Sequence, residues 1–369
     1  MAYLVLLALG VLDSAGYSII APVVPAIGDE TGAGPGLIGV LVATFAVGQM
    51  VGYPLAARVL ARRNATYVLG VSLFLVAVGD IGFVVGGGLA VYFPARFLQG
   101  IGAGLLWMGI SFAVLERYPG EEYKRLTGTL AAYSVGGILG PAMGAVGGVQ
   151  GPFLVHMVAV LLVGAALALL PRPTERVRFG SDRSVLRSPG FLLASVGILL
   201  VALSLGTFDG PLPLHFSEEL DQVAIAALYV GAAVVAGGSA VVAGHLRPRA
   251  MLLGGALVLP AAITLAGLSE TVAFWILLCC AFGVGIGIGE AGALGTLLES
   301  IGTDRIVLAM VVWSQVWAVG YLAGPAVGGG LAEAFGYWAL GLVPAAIAVS
   351  VLVVAGVTPA RARSGASPA

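Results

Sequence analysis

The chain has 369 residues, 59% of them hydrophobic and only 9% charged, with a mean hydropathy of +1.06. That leaves too little polar surface to cover a soluble globule of this size, so a water-soluble protein is excluded. The net charge of −1, from 17 basic and 18 acidic residues, says nothing about partners, because the two signs fall in different loops, and no nucleic-acid patch is implied.

Apolar stretches lie over residues 3–28, 36–57, 66–86, 89–115, 126–148, 152–171, 190–214, 222–244, 250–268, 271–297, 306–331 and 335–357. About 20 helical residues cross the hydrocarbon, so each is long enough to span and twelve transmembrane helices are predicted. The first is not a cleavable signal peptide, since it lacks a basic start and holds Asp13, Pro22 and Pro25.

The breaks between spans alternate in charge. Arg58, Arg62 and Arg63 share one, Arg117, Lys124 and Arg125 the next but one, and Arg172, Arg176, Arg178, Arg183 and Arg187 a longer central run. Arg247 with Arg249, then Arg305, then Arg361 with Arg363 continue the series. The intervening breaks and the span ends beside them carry acids: Asp29 and Glu30, Asp80, Glu218, Glu219 and Asp221, Glu270, Glu333. Basic loops stay on the cytoplasmic side, which puts both termini inside a cell-membrane protein with an even number of spans.

The central run, Pro171 to Pro189, is the only long polar segment. It predicts an N-terminal six-helix bundle over 1–171, a cytoplasmic linker over 172–189, a C-terminal six-helix bundle over 190–358 and a cytoplasmic tail over 359–369. Two pseudo-equivalent bundles around a midplane site are the plan of many secondary transporters. A local echo supports the repeat: GGILGPAMGA (Gly136 to Ala145) in the fifth span and GYLAGPAVGG (Gly320 to Gly329) in the eleventh.

A charge at the bilayer centre costs roughly 2.5–3.5 kcal/mol on insertion scales, so intramembrane ionisable residues are functional candidates. With Asp80 set aside as near a span end, four remain: Asp13, Arg96, Asp209 and Glu290, in spans 1, 4, 7 and 10. These are equivalent positions in a transporter built of three-helix units, so the four are expected to converge on one cavity. Burial disfavours the charged form of a carboxylate, which lets such a group load and unload a proton. Three acids against one base call for protons or a cationic substrate. Trp313, Trp317 and Tyr321 recur at i, i+4 and i+8 on one face of the eleventh span, beside Gln315. That stripe fits core packing as well as a wall for an organic cation, whose attraction to a ring face is worth about 0.5–2 kcal/mol. Tyr17 and Tyr229 are further aromatic candidates. Gly287, Gly289 and Gly292 match GxGxxG, but no strand precedes them, so close helix packing is expected there and no dinucleotide cofactor. Cys279 and Cys280 have no metal or redox spacing, and no metal is implied.

The motifs together resemble the major facilitator superfamily, within it the twelve-helix drug:proton antiporters, and most nearly the vesicular monoamine transporters and their bacterial relatives. They are LDSAGYSIIAPVVP (Leu12 to Pro25), ARFLQGIGAG (Ala95 to Gly104), GGILGPAMG, FDGPLP (Phe208 to Pro213), GVGIGIGEAGALG (Gly283 to Gly295) and GYLAGPAVGG. The resemblance implies an all-helical membrane fold of two pseudo-symmetric bundles and proton-driven export of small cationic or lipophilic compounds by a monomer. It assigns Asp13 to the amine-facing acid and Arg96, Asp209 and Glu290 to the family's charges, with proton coupling shared among the four. Asp13, Gln49, Asp209, Tyr229, Glu290, Trp317 and Tyr321 would line the substrate site. Arg62, Gly140, Pro141, Gly144, Gly324 and Pro325 would belong to conformational motifs.

The chain departs from the family at the loop between spans 2 and 3. The loop's usual acid is missing from Ala57 to Asn64, which puts a cytoplasmic charge gate in doubt, and Asn64 replaces a glycine but can still adopt the left-handed turn for which glycine is usually used. Phe45 stands where vesicular carriers have a lysine, so substrate identity does not carry over. The alternatives are a symporter or facilitator for a small metabolite, against which the doubled Gly-Pro element argues, and a non-transporting receptor or scaffold, in which four intramembrane charges would be an unexplained cost.

Overall fold

The computed structural model describes residues 1–118, 120–170, 183–300 and 306–358. Of the expected linker over 172–189, residues 172–182, with Arg172, Arg176 and Arg178, lie outside the described residues, as do Arg305 and the tail over 359–369. Helices α1 (Ala2–Ser18) and α2 (Ile20–Thr31) form the first span. The second to sixth are α3 (Pro35–Leu60), α4 (Ala65–Val85), α5 (Leu89–Arg117), α6 (Glu122–Gly144) and α7 (Gln150–Ala168). The seventh joins α8 (Pro189–Asp209) to α9 (Leu212–Phe216). Then come α10 (Gln222–Val242), α11 (Pro248–Leu268), α12 (Val272–Ser300) and α13 (Ile306–Phe335), and a short 3-10 turn leads into α14 (Leu342–Val357). Eleven of these spans are long and apolar enough to cross a membrane. The expected fifth span is α6, a 23-residue helix whose first turn carries Glu122, Lys124 and Arg125. The chain is thus a multi-pass membrane protein.

Two spans are interrupted where the sequence demands it. Pro22 has no N–H to give the Ser18 carbonyl, so the first span breaks at Ile19. Gly210, at φ −90 and ψ −91, followed by Pro211, ends α8 directly after Asp209. Helix starts are capped locally: Asn64 Oδ1 accepts from the Tyr67 N–H at 3.0 Å, Ser188 Oγ from Phe191 at 3.1 Å and Asp221 Oδ1 from Ala224 at 2.8 Å. Each cap contributes about 1 kcal/mol. Asn64 does not use the left-handed turn open to it. Asn64 is extended at φ −78, ψ 165, because an N-cap residue takes a β-region backbone while its side chain bonds the first turn.

The doubled Gly-Pro element has one structural role, performed twice. Gly136, Gly140 and Gly144 leave no room for a Cβ against Val11, Ala15 and Pro22, seating α6 on the backbone of the first span. Gly320 and Gly324 do the same for α13 against Leu199, Leu203 and Thr207 of the seventh, while Gly328 meets Thr207 and Pro211 at ordinary contact distance. Glycines four apart strip one helix face to backbone, so the axes approach closely in each bundle.

The two halves meet through α3 and α13. A Cβ on Gly39 would lie 3.0 Å from the Pro325 carbonyl carbon, and one on Gly329 would lie 3.1 Å from that of Pro35. Polar contacts close the same end. The Gly36 N–H donates to Glu333 Oε2 at 3.2 Å, and Gln222 Nε2 donates to the carbonyls of Gly144 and Gly148 at 2.7 and 3.0 Å. This end holds Asp29, Glu30 and Glu219, the acidic side of the charge pattern.

Candidate functional site

The break at Ile19 leaves the last carbonyls of α1 without helical partners, and a cation is the natural cap for such an end. Arg96 of α5, fully buried, supplies it. Its Nη1 donates to the Gly16 carbonyl at 3.3 Å and its Nη2 to the Tyr17 carbonyl at 3.2 Å. Nη1 also donates to Gln99 Oε1 at 3.1 Å, and the guanidinium carbon stands 4.3 Å from the Phe45 ring centroid. Phe45 therefore offers this cation a ring face. Arg96 also interacts electrostatically with Asp209 and Tyr321 of the other half.

Asp209 is 2% exposed, at the end of α8, and accepts from the Tyr321 hydroxyl at 3.0 Å. Tyr321 stacks on Trp317 with centroids 5.0 Å apart and 9° between planes, and meets Tyr17 edge-on at 6.0 Å and Phe45 at 6.3 Å. Trp317 also meets Tyr17 edge-on, at 6.1 Å. Glu290 is exposed on α12 and has no hydrogen-bond or ion-pair partner among the described residues. Gly287 packs against Ala236 of α10, and Gly292 against Pro248 and Leu252 of α11, so these glycines serve helix packing around the carboxylate. Asp13, one turn before Tyr17, accepts from the Tyr133 hydroxyl. Tyr17 stands between these groups: its carbonyl accepts from Arg96, and its ring meets Trp317 and Tyr321 edge-on.

Other residues singled out in the sequence stand further back. Tyr229 is buried, donates to the Phe208 carbonyl and lies against the Phe208 ring at 4.4 Å, directly behind Asp209. Gln49 is 6% exposed on α3, and Gln315 donates to the Met50 carbonyl at 3.3 Å, joining the halves. Trp313 parts from the stripe it was read with: its Nε1 donates to the Ala194 carbonyl at 3.3 Å inside the second bundle's core. Arg62 is exposed in the loop after α3. Asp80, set aside on the sequence, is fully buried, bonded to Gln99 Nε2 and His156 Nδ1, each at 2.8 Å. His156, Gln99 and Tyr133 were missed. A histidine in the middle of an apolar span was the available signal, since buried polar groups need partners.

The chain matches the family model for the Major Facilitator Superfamily over residues 6–307. The protein belongs to that superfamily. It is therefore a transporter and not an enzyme, and its fold is the superfamily's pair of six-helix bundles. Among curated relatives it is 25% identical to Multidrug resistance protein 1 of Bacillus subtilis over 240 residues, covering 60% of each chain. It is 27% identical to the quinolone resistance protein NorA of Staphylococcus aureus over 130 residues, 35% of this chain and 34% of that one. The chain thus spans between a third and three fifths of the length of these relatives. Two solved structures share the fold. A bacterial homologue of the human lysosomal transporter Spinster, inward-facing and occupied, gives a TM-score of 0.76 at 15% identity, covering 96% of this chain and 95% of that one. A D-xylose-proton symporter gives 0.72 at 14%, covering 95% and 96%.

Proposed function

We propose that this transporter is a proton-coupled antiporter that exports small cationic or lipophilic organic compounds by alternating access. The observation carrying the reading is the meeting of Arg96 of the N-terminal half and Asp209 of the C-terminal half with the rings of Tyr17, Trp317 and Tyr321, and on this reading Asp13 and Glu290 face the same space. Three acids against one base leave a deficit of positive charge that a proton or an organic cation fills. The stacked rings offer a face for the cation's apolar and charged surfaces. In this reading Glu290, unpartnered, carries the exchanged proton, and Asp209 and Arg96 share the coupling across the bundle contact. Substrate sits against Asp13, Tyr17, Trp317 and Tyr321, with Gln49 and Tyr229 completing the lining. Similarity to a multidrug resistance protein and a quinolone resistance protein supports efflux of organic compounds.

The same reading places both termini, the 172–189 linker and the 359–369 tail on the cytoplasmic side of the cell membrane, divides the bundles at 1–171 and 190–358, and takes the working unit as a monomer. Arg62 and the motifs around Gly140, Pro141, Gly144, Gly324 and Pro325 then govern the exchange of states. The test is Glu290→Gln in proteoliposomes with an imposed pH gradient and a panel of organic cations. Loss of uphill transport with passive exchange retained is expected. A Gln variant that accumulates substrate like the wild type, with the same pH dependence, overturns the proton-carrier assignment.

A further inference from the structure

Asp80 of α4 and His156 of α7 are 0% and 1% exposed, and their hydrogen bonds fix a proton count. His156 Nε2 stands 3.1 Å from the Leu12 carbonyl oxygen, and a carbonyl only accepts, so Nε2 carries a hydrogen. His156 Nδ1 stands 2.8 Å from Asp80 Oδ2, where two lone pairs would repel, so a proton lies between them as well. Asp80 Oδ1 accepts from Gln99 Nε2 at 2.8 Å, which gives the carboxylate a donor on each oxygen. The bonds are all satisfied by an imidazolium paired with a carboxylate. The pair then holds one proton more than neutral histidine beside ionised aspartate, and is neutral overall.

This pair is wired to the site between the bundles. A Cβ on Gly16 would lie 2.9 Å from His156 Cε1, so the ring rests directly on α1 at the residue whose carbonyl holds Arg96. Gln99 bridges Asp80 to that same guanidinium. Asp13, Gln99 and His156 also line one small cavity, closed by Leu73, Val76 and Val160. Its volume of about 10 Å³ is near the minimum for one water molecule. The titratable groups facing the pair are Asp13 from α1, which also accepts from Tyr133 of α6, and, through Gln99, Arg96 from α5.

We propose that Asp80 and His156 form a second proton-binding site within the N-terminal bundle, which exchanges its proton with Asp13 across the cavity they share. The step is a transfer of H⁺ from His156 Nδ1 or Nε2 to the Asp13 carboxylate and back, with no other bond changed. The stored proton stands independently of the antiport reading; its use in transport rests on that reading.

The chain has three histidines, at 156, 215 and 245, so ¹⁵N-histidine labelling of the full-length protein in lipid nanodiscs resolves each. His156 is expected to show both ring nitrogens protonated at pH 7.5, with its signals identified by their loss in His156→Gln. At the pH where the wild-type pair is half loaded, Asp13→Asn should lower the loaded fraction at least about two-fold, because it removes a neighbouring negative charge. A His156 with one bare nitrogen at pH 7.5 overturns the site. Loading indifferent to Asp13→Asn overturns the exchange and leaves a structural clamp. Neither result depends on Glu290→Gln, so failure of the antiport reading is seen separately.

Discussion

Alanine at Gly324 and at Gly330 makes the same chemical change on the same helix, α13, and the structure gives the two opposite signs. At Gly324 the new Cβ would lie 2.9 Å from the Thr207 nitrogen and 3.0 Å from the Leu203 carbonyl carbon, with the Leu203 carbonyl oxygen nearer still. Those are backbone atoms of α8 and cannot rotate away. Restoring ordinary contact, which begins at 3.4 Å, takes a separation of at least about 0.5 Å along the α8–α13 seam. A gap of that size forfeits about a quarter of each facing dispersion contact, and overpacking of this kind costs about 1–3 kcal/mol. At Gly330 a Cβ meets nothing within 4 Å. There alanine brings only its better helix propensity, worth about 0.5–1 kcal/mol. Both variants gain that propensity, so their difference isolates the steric cost. Equilibrium unfolding in mixed micelles should place Gly324→Ala below Gly330→Ala by about 1–3 kcal/mol. A difference below about 0.5 kcal/mol would refute the close seam. Uphill transport should fall in Gly324→Ala alone, because Tyr321 one turn earlier is carried away from Asp209.

Tyr321→Phe keeps the ring stack on Trp317 and removes only the hydroxyl on Asp209, so it should cost about 1.5–3 kcal/mol in the same unfolding assay; a neutral result would mean that the bond adds nothing. Asp13→Asn should weaken binding of cationic substrates about ten-fold or more while changing neutral ones little, measured by equilibrium binding in detergent. Equal loss for both classes would make Asp13 structural. Ser217 and Arg62 are both exposed, so in intact cells Ser217→Cys should react with an impermeant thiol reagent and Arg62→Cys should not. The reverse pattern would invert the topology.

The spans were legible in the sequence because each rests on apolar length, whereas the breaks that Pro22 and Gly210 with Pro211 impose were passed over in reading 3–28 and 190–214 as continuous. Asp13, Arg96, Asp209 and Glu290 were legible as charges in apolar surroundings, and the stacking of Trp317 on Tyr321 as a helical spacing. Their convergence on one cavity is an expectation from repeat symmetry, and the proposed function builds on it. What stayed hidden depends on partners far apart in the chain. Asp80 reads as a span-end acid until His156, 76 residues later, closes on it. Trp313 shares the spacing of Trp317, but which face of α13 meets the other bundle is set by packing. Asn64 serves as a helix cap, a role not read from the sequence.

The seam between α3 and α13 has a mechanical consequence. Where Gly39 meets Pro325 and Gly329 meets Pro35, the touching surfaces are main chain, hard against compression and poor in apolar side-chain area. Adhesion from burial scales at about 25 cal/mol per Å² of apolar surface, so such patches cling weakly once they begin to part. Their stiffness defines where the closed position is, and they do little to prolong it. How long that end stays shut falls to the few polar latches beside the seam, Gly36 on Glu333 and Gln222 on Gly144 and Gly148. Strengthening or cutting a single latch should therefore change the lifetime of closure more than its geometry, which makes dwell time and fit separately adjustable in this molecule.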